Sequence, residues 1–294
     1  GVSTSVPGAT KLTWGLGFSA LGVVNGLQNA QADPARLIPC PNFATFVCPA
    51  LVTAGTTGYF QPGDIAKLRH ASVSTYLKKI RIPVFLWQGQ SDTLFNLNEA
   101  IATYQALRKQ GTPVKMIWQS YGHTNGTAAP GEGNLGNLNP RANYQDARAL
   151  AWFDRHLKGR KVGTGPGFAW FRDWVRYTGN AKPAFGSASA YPVGKPVRYR
   201  LSGTALKPST TGLAKATQNF VTPAAGVPTR LEMFDAVGAV DALKAVPPLS
   251  EDDLPGTFAS WQTGKLAKPR DVVGSPALKL KVEAPLAAVS QALG

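Results

Sequence analysis

Two side chains of complementary chemistry stand at matched places in the sequence. Asp92 follows the run Ile82-Pro83-Val84-Phe85-Leu86-Trp87 after a short polar turn, and His123 follows Val114-Lys115-Met116-Ile117-Trp118 in the same way. A carboxylate that orients an imidazole fixes its tautomer and stabilises the imidazolium formed when the ring takes a proton. In open α/β sheets such groups gather beyond the carboxyl ends of parallel strands. The 31 positions between Asp92 and His123 are what one strand-helix-strand unit occupies. The pair therefore suits general acid–base work on an acyl group, with Asp92 as the acid member and His123 as the base. Taken singly, Asp92 also reads as a turn or N-cap residue and His123 as an ordinary loop histidine. His70 and His156 read as surface or interface residues.

Acyl transfer through such a pair also needs a nucleophile, and on this architecture the chain order is nucleophile, acid, histidine. The nucleophile is therefore expected before Asp92. No G-x-S-x-G elbow occurs there: Gly17-Phe18-Ser19 and Gly1-Val2-Ser3 both lack the closing glycine. Ser120 follows a strand, but Trp118 fills the position two residues before it, where an elbow needs a small side chain. A loop rich in Gly, Asn and Pro follows instead of a helix, so Ser120 reads as a decoy.

The elements that must position the pair are legible around it. Ile82 to Trp87 is a continuous apolar run of the kind buried on both faces of a parallel sheet. Asn96 offers an N-cap with Glu99 three residues on, and Leu97, Ile101, Tyr104 and Leu107 follow at helical spacing before Gly111. Val114 to Trp118 is the next strand, which makes the unit β-α-β and the sheet parallel. Tyr144, Ala147, Leu150, Ala151 and Leu157 mark a second helix ended by Gly159. Beyond it the period changes to two: Val197, Tyr199 and Leu201 alternate with Arg198 and Arg200, and Leu278, Leu280 and Val282 with Lys279 and Lys281. Residues 1–79 lack this alternation of strand and helix and read as a helical, loop-rich insertion. A Pro/Gly/Ser cluster near 183–196 predicts a boundary between an α/β part and a β part.

Composition narrows the classes further. The 294 residues are 44% hydrophobic and 10% aromatic, which excludes a disordered chain, and the 31 glycines show no collagen period. The longest apolar stretch, Trp14 to Val24, is far shorter than the ~20 residues needed to cross a bilayer. The net charge of +15 comes from 31 Lys and Arg against 16 Asp and Glu. These basic residues are scattered, without zinc-finger spacing or RNA-binding signatures, which argues against a nucleic-acid partner. Cys40 and Cys48 match neither a redox C-x-x-C nor a zinc site. They read as a local disulfide of an exported protein, with two buried thiols as the alternative. No metal or cofactor is expected.

The stretch I-R-I-P-V-F-L-W-Q-G-Q-S-D-T-L-F-N-L-N-E-A (80–100), with Y-Q-A-L-R-K-Q-G (104–111), Y-G-H (121–123) and W-F-D-R-H-L-K-G (152–159), resembles the Xaa-Pro dipeptidyl-peptidase and cocaine-esterase-like acyl esterase family. W-V-R-Y-T-G (174–179) and D-V-V-G-S-P-A-L-K-L-K-V (271–282) resemble the start of that family's jelly-roll domain. The resemblance implies a serine hydrolase of esters or peptides with Asp92 and His123 in its triad. It implies a helical cap over 1–79, the C-terminal half of an α/β-hydrolase core over 80–185, and the start of a β jelly roll over 186–294. The family's nucleophile elbow and oxyanion region would precede Gly1 and its remaining jelly-roll strands would follow Gly294. The sequence accordingly reads as an internal piece, inactive by itself and partnered by the missing parts of the same chain. Trp14, Leu16 and Phe18 in the cap are candidates either for an acyl pocket or for plain core packing. An extracellular or envelope location goes with this reading. The competing reading is a catalytically inactive hydrolase-like module that binds an envelope component.

Overall fold

The computed structural model describes residues 22, 26–28, 31–37, 40, 43–57, 59–92, 95–122, 127–134, 136, 139–221, 255–281 and 283. Among them the chain divides into two compact units, one of residues up to 76 together with 281 and 283, the other of residues 77–280.

In the first unit, α1 (Val47–Thr57) and α2 (Pro62–Ala71) are followed by a short 3-10 turn at Val73–Thr75. Pro62 at the first position, Asp64 in the first turn, and Arg69 and His70 in the last turn suit the ends of α2. Cys40 and Cys48 are joined by a disulfide that ties the preceding segment to the first turn of α1. Gly1, Ser3, Trp14, Leu16, Phe18 and Ser19 lie outside the described residues.

The second unit holds a four-stranded mixed sheet with helices, an α/β fold. Its strands are β1 (Val84–Gly89), β2 (Val114–Gln119), β3 (Phe168–Phe171) and β4 (Phe185–Ala188), in that order across the sheet. β1, β2 and β3 run parallel, and β4 returns antiparallel to β3. The expected strand-helix-strand unit is present as β1, α3 (Leu97–Lys109) and β2. Asn96 caps α3 by accepting from the Asn98 N–H at 3.0 Å, and Gly111 takes a left-handed turn at its end. Alternate strand residues feed two cores. Met116, Trp118 and Phe168 pack with Ala100, Ile101 and Tyr104 of α3, whereas Ile117, Ala169 and Phe171 pack with Tyr144 and Phe185 on the other face.

Continuous apolar runs in the sequence mark two strands of this sheet, and the structure adds β3 and β4. The second predicted helix is α4 (Tyr144–His156), but Leu157 lies just past its end and is 77% exposed. The helix instead buries polar side chains that bind neighbouring loops. Arg148, buried on α4, donates to the carbonyls of Thr164 and Pro166 at 3.0 and 2.9 Å and to the Tyr144 hydroxyl, and its guanidinium lies over the Phe85 ring. Removing it takes this donor from one buried and one half-buried carbonyl, so Arg148→Ala is expected to cost about 3 kcal/mol, read as a lower urea midpoint. An unshifted midpoint would show that water replaces these bonds without loss.

Beyond β4, a two-stranded antiparallel ribbon pairs β5 (Arg200–Ser202) with β6 (Ala205–Lys207). The alternation at 197–201 thus becomes a strand only from Arg200, with Val197 exposed. The described residues 275–281 form no strand, against the alternation of Leu278 and Leu280. Both leucines are exposed: a period of two supplies a face, but a strand also requires a neighbouring backbone.

No described helix is long and apolar enough to cross a membrane.

Candidate functional site

The site is built where β1 and β2 end. Their parallel register aligns Val84 with Val114 and Gly89 with Gln119, so the loops that follow emerge side by side. The Gln90 N–H donates to the Gln119 carbonyl at 2.8 Å, and the Ser91 hydroxyl donates to the Ser120 carbonyl at 2.9 Å. Gln90 also reaches across to the end of β3 through its side-chain amide, which donates to the Phe171 carbonyl at 2.9 Å.

Asp92 sits three residues beyond β1 and is 8% exposed. Its Oδ1 accepts the Phe95 N–H at 2.7 Å and its Oδ2 accepts the Gln88 side-chain amide at 3.0 Å. The same Gln88 amide donates to the Phe95 carbonyl, which closes the turn around the carboxylate. The backbone of Asp92 lies directly against Gly122: a Cβ on that glycine would stand 2.5 Å from both the Asp92 Cα and N. A Cβ on Gly89 would likewise stand 2.1 Å from the Tyr121 carbonyl oxygen. Asp92 is thereby brought against the residue that precedes His123. His123 itself lies outside the described residues, and so do Thr93 and Leu94. The other two histidines are elsewhere: His70 in the last turn of α2, beside the Tyr76 ring, and His156 at the end of α4, against Trp152.

Ser120 belongs to a buried polar cluster centred on Glu132, a residue that sequence reasoning missed. Glu132 is fully buried, and its carboxylate accepts the Ser120 N–H at 2.9 Å, the Ala129 N–H at 3.0 Å, the Gln145 side-chain amide at 3.2 Å and the Ser120 hydroxyl. The Tyr121 hydroxyl reaches the Gln145 side-chain oxygen Oε1 at 3.4 Å, and the Tyr177 hydroxyl donates to the Pro130 backbone carbonyl at 2.7 Å. Burial pushes the Tyr121 phenol up, and the carboxylates of Glu132 and Asp146 push it further. Burial and then Glu132 do the same to Tyr177. Above the ordinary tyrosine value of 10.0 the folded chain therefore keeps protons that the unfolded chain has lost. Stability is expected to fall as pH rises through that window, and Tyr121→Phe to flatten the fall, measured by urea unfolding between about pH 9 and 11. An equally steep fall in the variant would remove Tyr121 from the account.

Among the described residues no group of three or more His, Cys, Asp or Glu is arranged to hold a metal ion. Searched against protein-family models, curated proteins and solved structures, the chain finds no match in any of the three.

Proposed function

We propose that the protein is a serine hydrolase of esters or peptides, similar to the Xaa-Pro dipeptidyl-peptidase and cocaine-esterase-like family, in which Asp92 orients His123 as the general base. The observation that carries this reading is the meeting of two adjacent parallel strand ends. A buried, hydrogen-bonded Asp92 closes one of them, and its backbone touches the glycine immediately before His123 on the other. In this mechanism His123 takes the proton of a serine as it attacks the acyl carbon, returns it to the leaving group, and then activates water to hydrolyse the acyl-enzyme. The serine of this reading comes from a segment of the native chain preceding Gly1. The division into cap, hydrolase core and jelly roll at 79 and 185 goes with the same reading. The Cys40–Cys48 disulfide supports an extracellular or envelope location.

The test is a fluorophosphonate probe, which phosphonylates a serine only when a base activates it. The native full-length protein is expected to label at one serine, and labelling is expected to vanish in His123→Ala. A native protein that stays unlabelled would favour the binding-module reading instead.

A further inference from the structure

We propose that Glu132 is a positioning residue for this acid–base pair: its buried carboxylate fastens both ends of the chain segment 121–128, which carries His123. The inference rests on the reading of Asp92 and His123 given above. Glu132 takes four donors from three places: the Ser120 N–H and hydroxyl at the exit of β2, the Ala129 N–H nine positions later, and the side chain of Gln145 in the first turn of α4. Among the described residues no cation pairs with it, although it is 0% exposed. A buried carboxylate without a cation is costly unless hydrogen bonds replace its water, and four donors supply the acceptor sites of its two oxygens. A simple turn cap would draw its donors from one end of a loop. Here they come from both ends, and the helix behind them is held as well. The N–H groups of Tyr144 and Gln145 donate to the Gly131 and Glu132 carbonyls at 3.0 and 2.8 Å, and the Gln145 side chain also donates to the Gln119 side chain at 3.3 Å. The carboxylate thus anchors the chain at Ser120 on one side of His123 and at Ala129 on the other, and Gly122 lies against the Asp92 backbone.

The test is Glu132→Gln in the native full-length protein, which keeps the shape but turns one acceptor oxygen into an amide that faces donors. Two readouts are taken: hydrogen exchange at the Ser120 and Ala129 amides, and hydrolysis of p-nitrophenyl butyrate. Exchange is expected to quicken by about tenfold at one or both amides. Turnover is expected to fall by about 10²-fold with KM nearly unchanged, as loss of catalytic alignment requires and general loosening of a binding pocket does not. Ser120→Ala, which leaves three of the four donors, serves if Glu132→Gln fails to fold. Its expected fall in kcat is about tenfold, again without a change in KM. Unchanged exchange at both amides overturns the anchoring. Faster exchange with unchanged kcat, or an effect on KM alone, overturns the positioning role. A native protein that neither hydrolyses the ester nor takes the fluorophosphonate overturns the acid–base reading and with it the catalytic part of this proposal, while the exchange result still decides the anchoring.

Discussion

Asp92→Asn is expected to lower ester turnover in the native protein by about 10⁴-fold while leaving the fold intact. The asparagine keeps an oxygen that can accept the Phe95 N–H now bound at 2.7 Å, so the turn survives. Its other atom becomes an amide facing the Gln88 amide, which already donates to Oδ2 and to the Phe95 carbonyl. Gln88 cannot turn its oxygen toward the new amide without giving up the Phe95 carbonyl. Of these two hydrogen bonds one is lost, a structural cost of about 1 kcal/mol. The kinetic cost is much larger because a neutral amide cannot stabilise an imidazolium or hold the ring's tautomer. His123→Ala is expected to be at least as damaging, since it removes the base. Steady-state hydrolysis of p-nitrophenyl butyrate, with urea unfolding of each variant alongside, separates the two costs. Turnover within about tenfold of native in either variant would remove the pair from the mechanism.

The contrast between these two costs also shows why part of the molecule was legible in sequence. β1, α3 and β2 are each announced by a local pattern: an apolar run between Pro83 and Gly89, a capped helix from Asn96 to Gly111, and a second apolar run ending before Ser120. Asp92 could be placed because it follows such a run directly. β3 and β4 are four residues each, too short for a period to stand out. β4 also depends on its partner: a Cβ on Gly186 would lie 2.4 Å from the Trp170 indole, so the glycine is there for the ring beside it. Glu132 is the clearest case of a residue whose role is invisible along the chain. It is a lone acid in Ala-Ala-Pro-Gly-Glu-Gly-Asn, and its donors at Ser120 and Gln145 are brought to it only by the fold. The reverse error occurs at Leu278 and Leu280, where an alternating pattern exists and no strand forms among the described residues.

Gly122→Ala carries the second large effect, because the contact it disturbs joins the two halves of the site. The added Cβ would sit 2.5 Å from two backbone atoms of Asp92 and 2.7 Å from the Ser91 carbonyl carbon. None of these is the end of a flexible side chain, so relief requires the two strand ends to part by about 1 Å to reach ordinary van der Waals contact. Gly122 does not have the positive φ that marks Gly111, so the penalty is one of space rather than of backbone conformation. Overpacking of this kind is expected to cost about 3 kcal/mol, seen in the urea midpoint. A displacement of 1 Å between acid and base is expected to cost about 10²-fold in turnover. Gly63→Ala is the matched control: on α2 nothing lies within 4 Å of the new Cβ, and the substitution should stabilise by about 0.5 kcal/mol through helix propensity. Gly133→Ala lies between them, since its nearest neighbour at 2.6 Å is the Gln145 side-chain oxygen, which can move, though only by loosening the Tyr121 contact it accepts. The order of loss in both stability and turnover should therefore be Gly122, then Gly133, then Gly63. If Gly122→Ala kept native stability and native turnover, Asp92 and the segment leading to His123 could not be in the contact that the site requires.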